Sequence, residues 1–146
     1  MHLVQRQNNK QWLWKKLGYL GLFPFFGCLL LTLEDFGLSY DFKSLFMTYS
    51  AIILSFMAGT IWQKSTEVDA QRDQLFSNVF CLIAFGALLL AQAQTLAVLG
   101  LTYLFLWIYE KRRFNDLPKE YLAMRANLTA IVVSLHFIAL ILWSNV

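Results

Sequence analysis

Residues 48–62, TYSAIILSFMAGTIW, decide the fold, because this run carries no charged side chain yet places small residues at helical spacing. Ala51, Ser55 and Gly59 recur every four residues, so they share one face of a helix. Lipid tails are as apolar as leucine, and helices in a bilayer therefore associate through small residues and interhelical hydrogen bonds. The run predicts a membrane helix that packs closely on a neighbour.

The remainder of the chain has the same apolar character. Of its 146 residues, 58% are hydrophobic and 14% are charged, whereas soluble domains carry about 25% charged residues. A helix needs about 20 residues to cross the hydrocarbon core. We therefore predict an all-α fold over residues 1–146, a polytopic membrane protein with a five-helix transmembrane bundle. The predicted spans are the five charge-free stretches, 17–33, 45–62, 75–91, 95–109 and 126–146.

The third and fourth stretches are shorter than a full crossing. The polar residues Gln92, Ala93 and Gln94 separate them and predict a turn. We expect a short hairpin that recruits polar flanking residues, thins the bilayer or dips into it without crossing.

Basic residues predict the orientation of the bundle. Only Lys43 of the 12 Lys and Arg residues falls on one side of the predicted spans. The positive-inside tendency then places the N-terminus inside and the C-terminus outside. The same loops predict contact with anionic lipid headgroups and no nucleic-acid surface. The residues predicted to contact headgroups are Lys111, Arg112, Arg113 and Arg125.

Two interpretations of the small and hydroxyl side chains stay open. They either pack helices together or line a ligand groove, which would include Tyr49, Ser55 and Thr60. Pro24 is expected to free a carbonyl and kink the first helix. The residues predicted either to pack helices together or to line the groove are Tyr49, Ala51, Ser55, Gly59 and Trp62 on the second helix, and Ala130 and Ser134 on the fifth.

Ionisable residues within the spans are scarce, which limits the chemistry. His136 is the one such residue, and we expect a hydrogen-bonded structural histidine in preference to a proton relay or haem ligand. His2 and His136 lie near opposite ends of the chain, so they are not expected to form a metal site together. Cys28 and Cys81 are interpreted as small apolar residues. No catalytic, cofactor-binding or metal-binding residue is predicted.

The loop after the fourth stretch carries Tyr121 and Arg125 one helical turn apart. We expect Arg125 to reach lipid phosphate, or else to pair with an acidic residue of the preceding inner loop. The acidic residues considered are Glu67, Asp69 and Asp73.

Three sequence blocks resemble a known family. LGYLGLFPF, YSAIILSFMAGTIW and LPKEYLAMRANLTAIVVSL resemble, in order and spacing, the bacterial family described as domain of unknown function 3429, in which the mitochondrial transmembrane protein 69 is also placed. The resemblance implies an integral-membrane fold and no established activity. Its most specific residues are Tyr49, Ser50, Ser55, Phe56, Gly59 and Trp62, followed by Leu117, Pro118, Tyr121, Arg125 and Leu128.

Two functional hypotheses follow from these patterns. The first is a non-enzymatic accessory or assembly component of a larger membrane complex, with other membrane subunits as partners. The second is a binder or carrier of a lipophilic small molecule such as a quinone or lipid. An enzyme ranks third. The bacterial inner membrane is favoured over the mitochondrial one, because the N-terminal residues do not resemble an import presequence.

Overall fold

The computed structural model describes residues 15–33, 40–64, 69–114 and 117–144. These ranges form five helices with no strand among them, and a short helical segment at 15–20 precedes the first. The helices are α1 (Phe23–Leu31), α2 (Phe42–Lys64), α3 (Ala70–Ala87), α4 (Gln92–Arg113) and α5 (Lys119–Ser144).

Three of the described helices, α2, α4 and α5, are long and apolar enough to span a membrane. The all-helical fold and the five helices predicted from the sequence are confirmed for the described residues. The α1 helix has only 9 residues, and α3 carries Arg72 and Asp73 in its first turn. Five complete crossings and their orientation therefore stay predictions.

Pro24 marks a break in the first predicted span. The helical segment 15–20 ends in a turn at Gly21 and Leu22, and α1 then begins at Phe23 with Pro24 in its first turn. Proline suits this position because the first-turn amides have no intrahelical acceptor. The Tyr49 hydroxyl on α2 donates to the Gly21 carbonyl at 2.9 Å, so a hydroxyl from a neighbouring helix satisfies the backbone at this break.

The turn between α3 and α4 corrects a sequence prediction. Gln92, predicted as the start of the turn, is the first residue of α4, and the chain reverses at residues 88–91. Thr95 fixes this reversal because its hydroxyl donates to the Ala87 carbonyl at 2.7 Å. The polar side chains correctly indicated the region where α3 and α4 are connected. Polar residues occur both in turns and in the first turn of a helix, so they did not show where α4 begins. With 22 residues, α4 is also longer than the predicted fourth span.

Consecutive helices run antiparallel, so charged side chains collect at one end of the bundle. The C-terminus of α4 meets both the start of α3, through Arg113 and Asp69, and the start of α5, through Glu110 and Arg125. Lys15 also bonds Glu120 there at 2.7 Å. We call this region the charged end.

Asp41 caps α2 at the opposite end. One carboxylate oxygen accepts from the backbone amides of Lys43 and Ser44, at 3.0 and 3.2 Å, and the other accepts from the Ser44 hydroxyl. These bonds satisfy amides that a helix start leaves without partners. The hydrogen bonds from Ser44 lower the pKa of Asp41 below its ordinary value.

The core lies where α1, α2, α4 and α5 meet. Phe25 and Phe46 are fully buried, with ring centroids 5.3 Å apart in an edge-to-face arrangement. On α4 the buried residues recur every three or four positions, which is the spacing of one helix face. That face consists of Leu96, Leu99, Tyr103, Leu106 and Glu110.

Candidate functional site

A cavity of about 350 Å³ opens between the 15–22 segment, α2, α4 and α5, towards the charged end. Its walls are mainly apolar, with Leu22, Ile53, Met57 and Leu128 among them. A small set of polar side chains also reaches this space. The polar residues in the wall are Thr60, Tyr103, Tyr121, Arg125 and Thr129.

Thr129 is the unusual member of this wall. It is 3% exposed, and its hydroxyl oxygen has no hydrogen-bond partner in the described structure. A helical threonine commonly returns its hydroxyl hydrogen bond to the carbonyl four residues earlier, which here belongs to Arg125. Since that bond is not made, the Thr129 hydroxyl is buried without a hydrogen-bond partner. Such groups are rare in folded proteins.

Arg125 forms a buried ion pair beside Thr129. Its Nε donates to Glu110 Oε2 at 2.8 Å, and its Nη2 donates to the same oxygen. The other carboxylate oxygen accepts from the Tyr121 hydroxyl at 3.1 Å. The two charged side chains are 7% and 1% exposed, so each depends on the other for neutralisation.

The position of Arg125 corrects its predicted role. A side chain on the bundle surface was expected to reach lipid phosphate, but Arg125 points inward and is 5% exposed. Its partner is Glu110 on α4 and not Asp69 or Asp73. Glu67, the third acidic residue considered, lies outside the described residues. Burial favours this pairing because two opposite charges inside the bundle cancel, whereas a lone one would have to reach water.

The other residues predicted to contact headgroups divide into two groups. Lys111 and Arg112 are exposed at the charged end, where headgroup contact stays a prediction. Arg113 instead bridges two helices, with Nη2 donating to Asp69 at 2.6 Å and Nε donating to Asp73 at 3.3 Å. Asp73 is fully buried, so this pair ties α3 to α4.

The predicted groove on α2 is only partly present. Thr60 lines the cavity, but Tyr49 uses its hydroxyl at Gly21 and packs its ring 5.0 Å from Phe25. Ser55 is half-buried, and its carbonyl lies 3.7 Å from the Cys81 thiol on α3. Tyr49, Ser55 and Thr60 therefore lie in three different surroundings and do not form one groove.

The predicted packing stripes also need correction. Ala51 is buried, whereas Gly59 is exposed and a Cβ added there would meet nothing within 4 Å. On α5, Ala130 and Ser134 both face outward. Trp62 is likewise 50% exposed at the charged end of α2. The buried stripe of α2 lies beside the predicted one and consists of Phe46, Ser50, Leu54, Ala58 and Ile61.

His136 is a fully hydrogen-bonded histidine, as expected from the sequence. Its Nδ1 lies 2.8 Å from the Val132 carbonyl, which can only accept, so Nδ1 carries the proton in the neutral ring. Its Nε2 then accepts from the Ser50 hydroxyl at 2.8 Å, while Tyr103 donates to the Ser50 carbonyl. Gly100 lies close to His136, because a Cβ added at Gly100 would be 3.3 Å from the His136 Cβ. These contacts join α2, α4 and α5.

Sequence reasoning did not identify Thr129 or Tyr103 as cavity residues, or Glu110 as the partner of Arg125. One signal was available, because Tyr121, Arg125 and Thr129 are spaced by four residues and so share a face of α5. A polar face continuing into an apolar helix indicates an inward-facing surface.

Comparison with known proteins gives one family and no individual relative. No curated protein and no solved structure matches the chain. The resemblance to transmembrane protein 69 therefore stays a prediction. A family model matches residues 10–141, which include every described residue of the cavity wall. The chain thus belongs to the family described as "Protein of unknown function (DUF3429)".

Proposed function

We propose that this chain is a non-enzymatic integral membrane protein that binds a lipophilic small molecule in the cavity beside Arg125. The observation that carries the proposal is the mainly apolar cavity, whose wall also includes the polar residues Tyr103, Tyr121 and Arg125. Small-molecule sites are typically apolar cavities with a few convergent polar groups, which describes this wall.

The size and position of the cavity support the same function. Its volume of about 350 Å³ falls at the lower end of the range typical of ligand sites, roughly 300–1,000 Å³. It lies between helices long enough to span a membrane, so a ligand can enter from the lipid phase. The polar residues lie towards the charged end, which fixes the orientation of an amphiphilic guest.

Native mass spectrometry of the protein released from a mild detergent tests this proposal. We expect the wild type to retain a lipid-sized adduct. The Ile53→Trp variant should lose it, because Ile53 is a half-buried part of the cavity wall. The matched control is Ile52→Trp, since Ile52 is the preceding residue, is 60% exposed and lies outside the wall.

Each pattern of adducts decides the proposal. An adduct in the wild type and the Ile52→Trp variant, with loss in the Ile53→Trp variant, supports a site in the cavity. Equal retention in all three proteins would place the lipid on the outer surface and reject the site. Absence of an adduct from every preparation in several detergents would reject lipophile binding.

A second candidate function is an accessory or assembly role in a larger membrane complex. Its specific support is that Ala130 and Ser134 face outward on α5, so a helix of another subunit can approach closely there. Affinity purification should then recover partner subunits in a fixed ratio. Ser134→Trp should release them, and Leu82→Trp, at an exposed position of α3, should not. Consistent recovery of a lone monomer would argue against this role.

The proposed location is the bacterial inner membrane, with the charged end in the cytoplasm. Support comes from the exposed basic residues Lys111 and Arg112 at that end, which suit the positive-inside tendency and anionic headgroups. Reporter fusions after residue 64 and after residue 146 test the orientation. We expect a cytoplasmic signal from the first and an external signal from the second, and the reverse result would invert the assignment.

A further inference from the structure

We infer that an open groove on the first helical stretch holds an anionic phospholipid, outside the cavity beside Arg125. The groove has a volume of about 610 Å³ and is lined by side chains from residues 15–26. We call it the outer groove. The proposed function does not depend on it. The lining residues that carry the argument are Lys15, Lys16, Tyr19, Leu20, Phe23 and Phe26.

The outer groove exists because the first helical stretch is interrupted. Side chains radiate from the cylinder of a continuous helix and leave a convex surface. Here the segment 15–20 ends in a turn at Gly21 and Leu22, and α1 starts at Phe23 with Pro24 in its first turn. Side chains from before and after this interruption therefore line one space.

The apolar side of the outer groove suits a hydrocarbon chain. Leu20, Phe23 and Phe26 are 64%, 78% and 44% exposed, so their side chains are accessible to a ligand. A lipid chain in a concave surface touches more atoms than it would on a convex helix face, and each contact adds dispersion attraction. The groove therefore favours a retained lipid over one that exchanges freely with the bilayer.

Two basic side chains lie at one end of the outer groove. Lys16 is exposed, and Lys15 bonds Glu120 at 2.7 Å at the charged end of the bundle. Because Glu120 balances one of the two lysines, these three side chains keep one net positive charge. Basic side chains near a membrane surface attract anionic lipid. An anionic headgroup complements this end, whereas a zwitterionic headgroup brings a positive charge of its own.

The order of basic and apolar parts matches the order within one bilayer leaflet. Ten residue steps separate Lys16 from Phe26, which is at most about 15 Å at a helical rise of 1.5 Å per residue. One leaflet contributes half of a hydrocarbon core that is about 30 Å thick. Further along, Thr32 accepts from Trp143 at 3.3 Å near the far end of α5, so α1 leads away from the charged end. A phospholipid with its headgroup at Lys16 then lays a chain along the groove towards the bilayer centre.

Native mass spectrometry of the purified full-length protein, stripped of copurified lipid, tests the outer groove. The probes are phosphatidylglycerol, which is anionic, and phosphatidylcholine, which is zwitterionic, with identical acyl chains. We expect the wild type to bind phosphatidylglycerol about fivefold more tightly, the order of effect that one basic side chain has at a membrane surface. Equal affinity for the two lipids would overturn the inference.

Lys16→Gln tests the basic end. We expect about fivefold weaker binding of phosphatidylglycerol and unchanged binding of phosphatidylcholine. The matched control is Lys111→Gln, because Lys111 is exposed at the charged end on α4 and lies outside the groove wall. The control should keep the preference of the wild type. Equal losses in both variants would show diffuse attraction to the whole charged end and overturn the site.

Phe23→Ala tests the apolar part. We expect about threefold weaker binding of both lipids with an unchanged preference between them, because the apolar surface that covers the chain is lost. The matched control is Phe85→Ala, at a position that is 64% exposed on α3. Wild-type binding by Phe23→Ala would overturn the inference. So would a protein dimer that Phe23→Ala separates, since a second copy of the chain would then occupy the groove.

Ile53→Trp separates the outer groove from the cavity of the proposed function. Leu22 belongs to both walls, but Ile53 lines only the cavity. We expect this variant to bind phosphatidylglycerol as the wild type does, while a guest of the cavity is lost. Loss of phosphatidylglycerol from Ile53→Trp would place the phospholipid in the cavity and overturn the outer groove, leaving the proposed function in place. Failure of the cavity test would leave the outer groove unaffected.

Discussion

Removal of Arg125 offers the most direct test of how this bundle is held together. The Arg125→Met variant keeps much of the side-chain volume but leaves the Glu110 carboxylate, 1% exposed, without its cation. Breaking a buried pair from one side costs about 3–5 kcal/mol, because an uncompensated charge then stays in the interior. Whole domains are stable by only about 5–15 kcal/mol, so the expected loss is a large part of the total.

The double variant Glu110→Gln, Arg125→Met separates the charge effect from packing. The glutamine retains an oxygen that can accept from Tyr121, which donates to Glu110 at 3.1 Å in the wild type. No buried charge is left unpaired in this variant. We therefore expect it to lose less stability than Arg125→Met alone, with a coupling energy of about 2–4 kcal/mol between the two sites.

The assay is equilibrium unfolding in mixed micelles, with sodium dodecyl sulfate as denaturant and far-UV circular dichroism as readout. Arg112→Met is the matched control, because Arg112 is exposed on the last turn of α4 and should change stability by no more than about 0.5 kcal/mol. The ion pair would not contribute as argued if Arg125→Met lowered the free energy of unfolding no more than this control does. The same holds if the loss in the double variant equalled the sum of the losses in the two single variants.

The same unfolding assay checks three further contacts. Ser50→Ala leaves His136 Nε2 buried without its donor, and we expect a loss of about 1–3 kcal/mol; an unchanged midpoint would mean that another donor replaces it. Asp41→Ala removes the cap of α2 and should cost about 1 kcal/mol at pH 7. Because the folded-state pKa of Asp41 is lowered, its contribution is present above the ordinary value of 3.8 and is lost as the pH falls through the folded value. The difference from the variant should therefore shrink below pH 3.8, and a constant difference would contradict the capping role. Gly100→Leu should cost about 1–3 kcal/mol because a Cβ there already approaches His136, whereas Gly59→Leu meets open space and should cost nothing; equal losses at both glycines would contradict these positions.

The sequence predicted the helices well because charge segregation is a direct consequence of the bilayer as solvent. Hydrocarbon excludes ionised side chains, so long charge-free stretches coincide with the described helices α2, α4 and α5. Helix ends were predicted less well. The structure extends α4 through Gln92 and through Arg113, since polar residues are compatible with the first and last turns of a helix.

The segregation of charged residues did not show which face of each helix points inward and which points outward. In water, an apolar stripe marks the buried face of a helix, but in lipid both faces of a helix are apolar. Ala130 and Ser134 therefore looked like packing residues although they face outward, while Phe137 on the same helix is 63% exposed. Small size identifies residues that permit close approach without identifying the neighbour.

The family membership and the helices long and apolar enough to span a membrane were thus available from the sequence by itself, together with the hydrogen-bonded character of His136. Only the tertiary structure decided that Arg125 pairs with Glu110 and that the Thr129 hydroxyl is buried without a partner. The physical reason is that burial and pairing depend on which helix lies opposite, and local sequence carries no record of that neighbour.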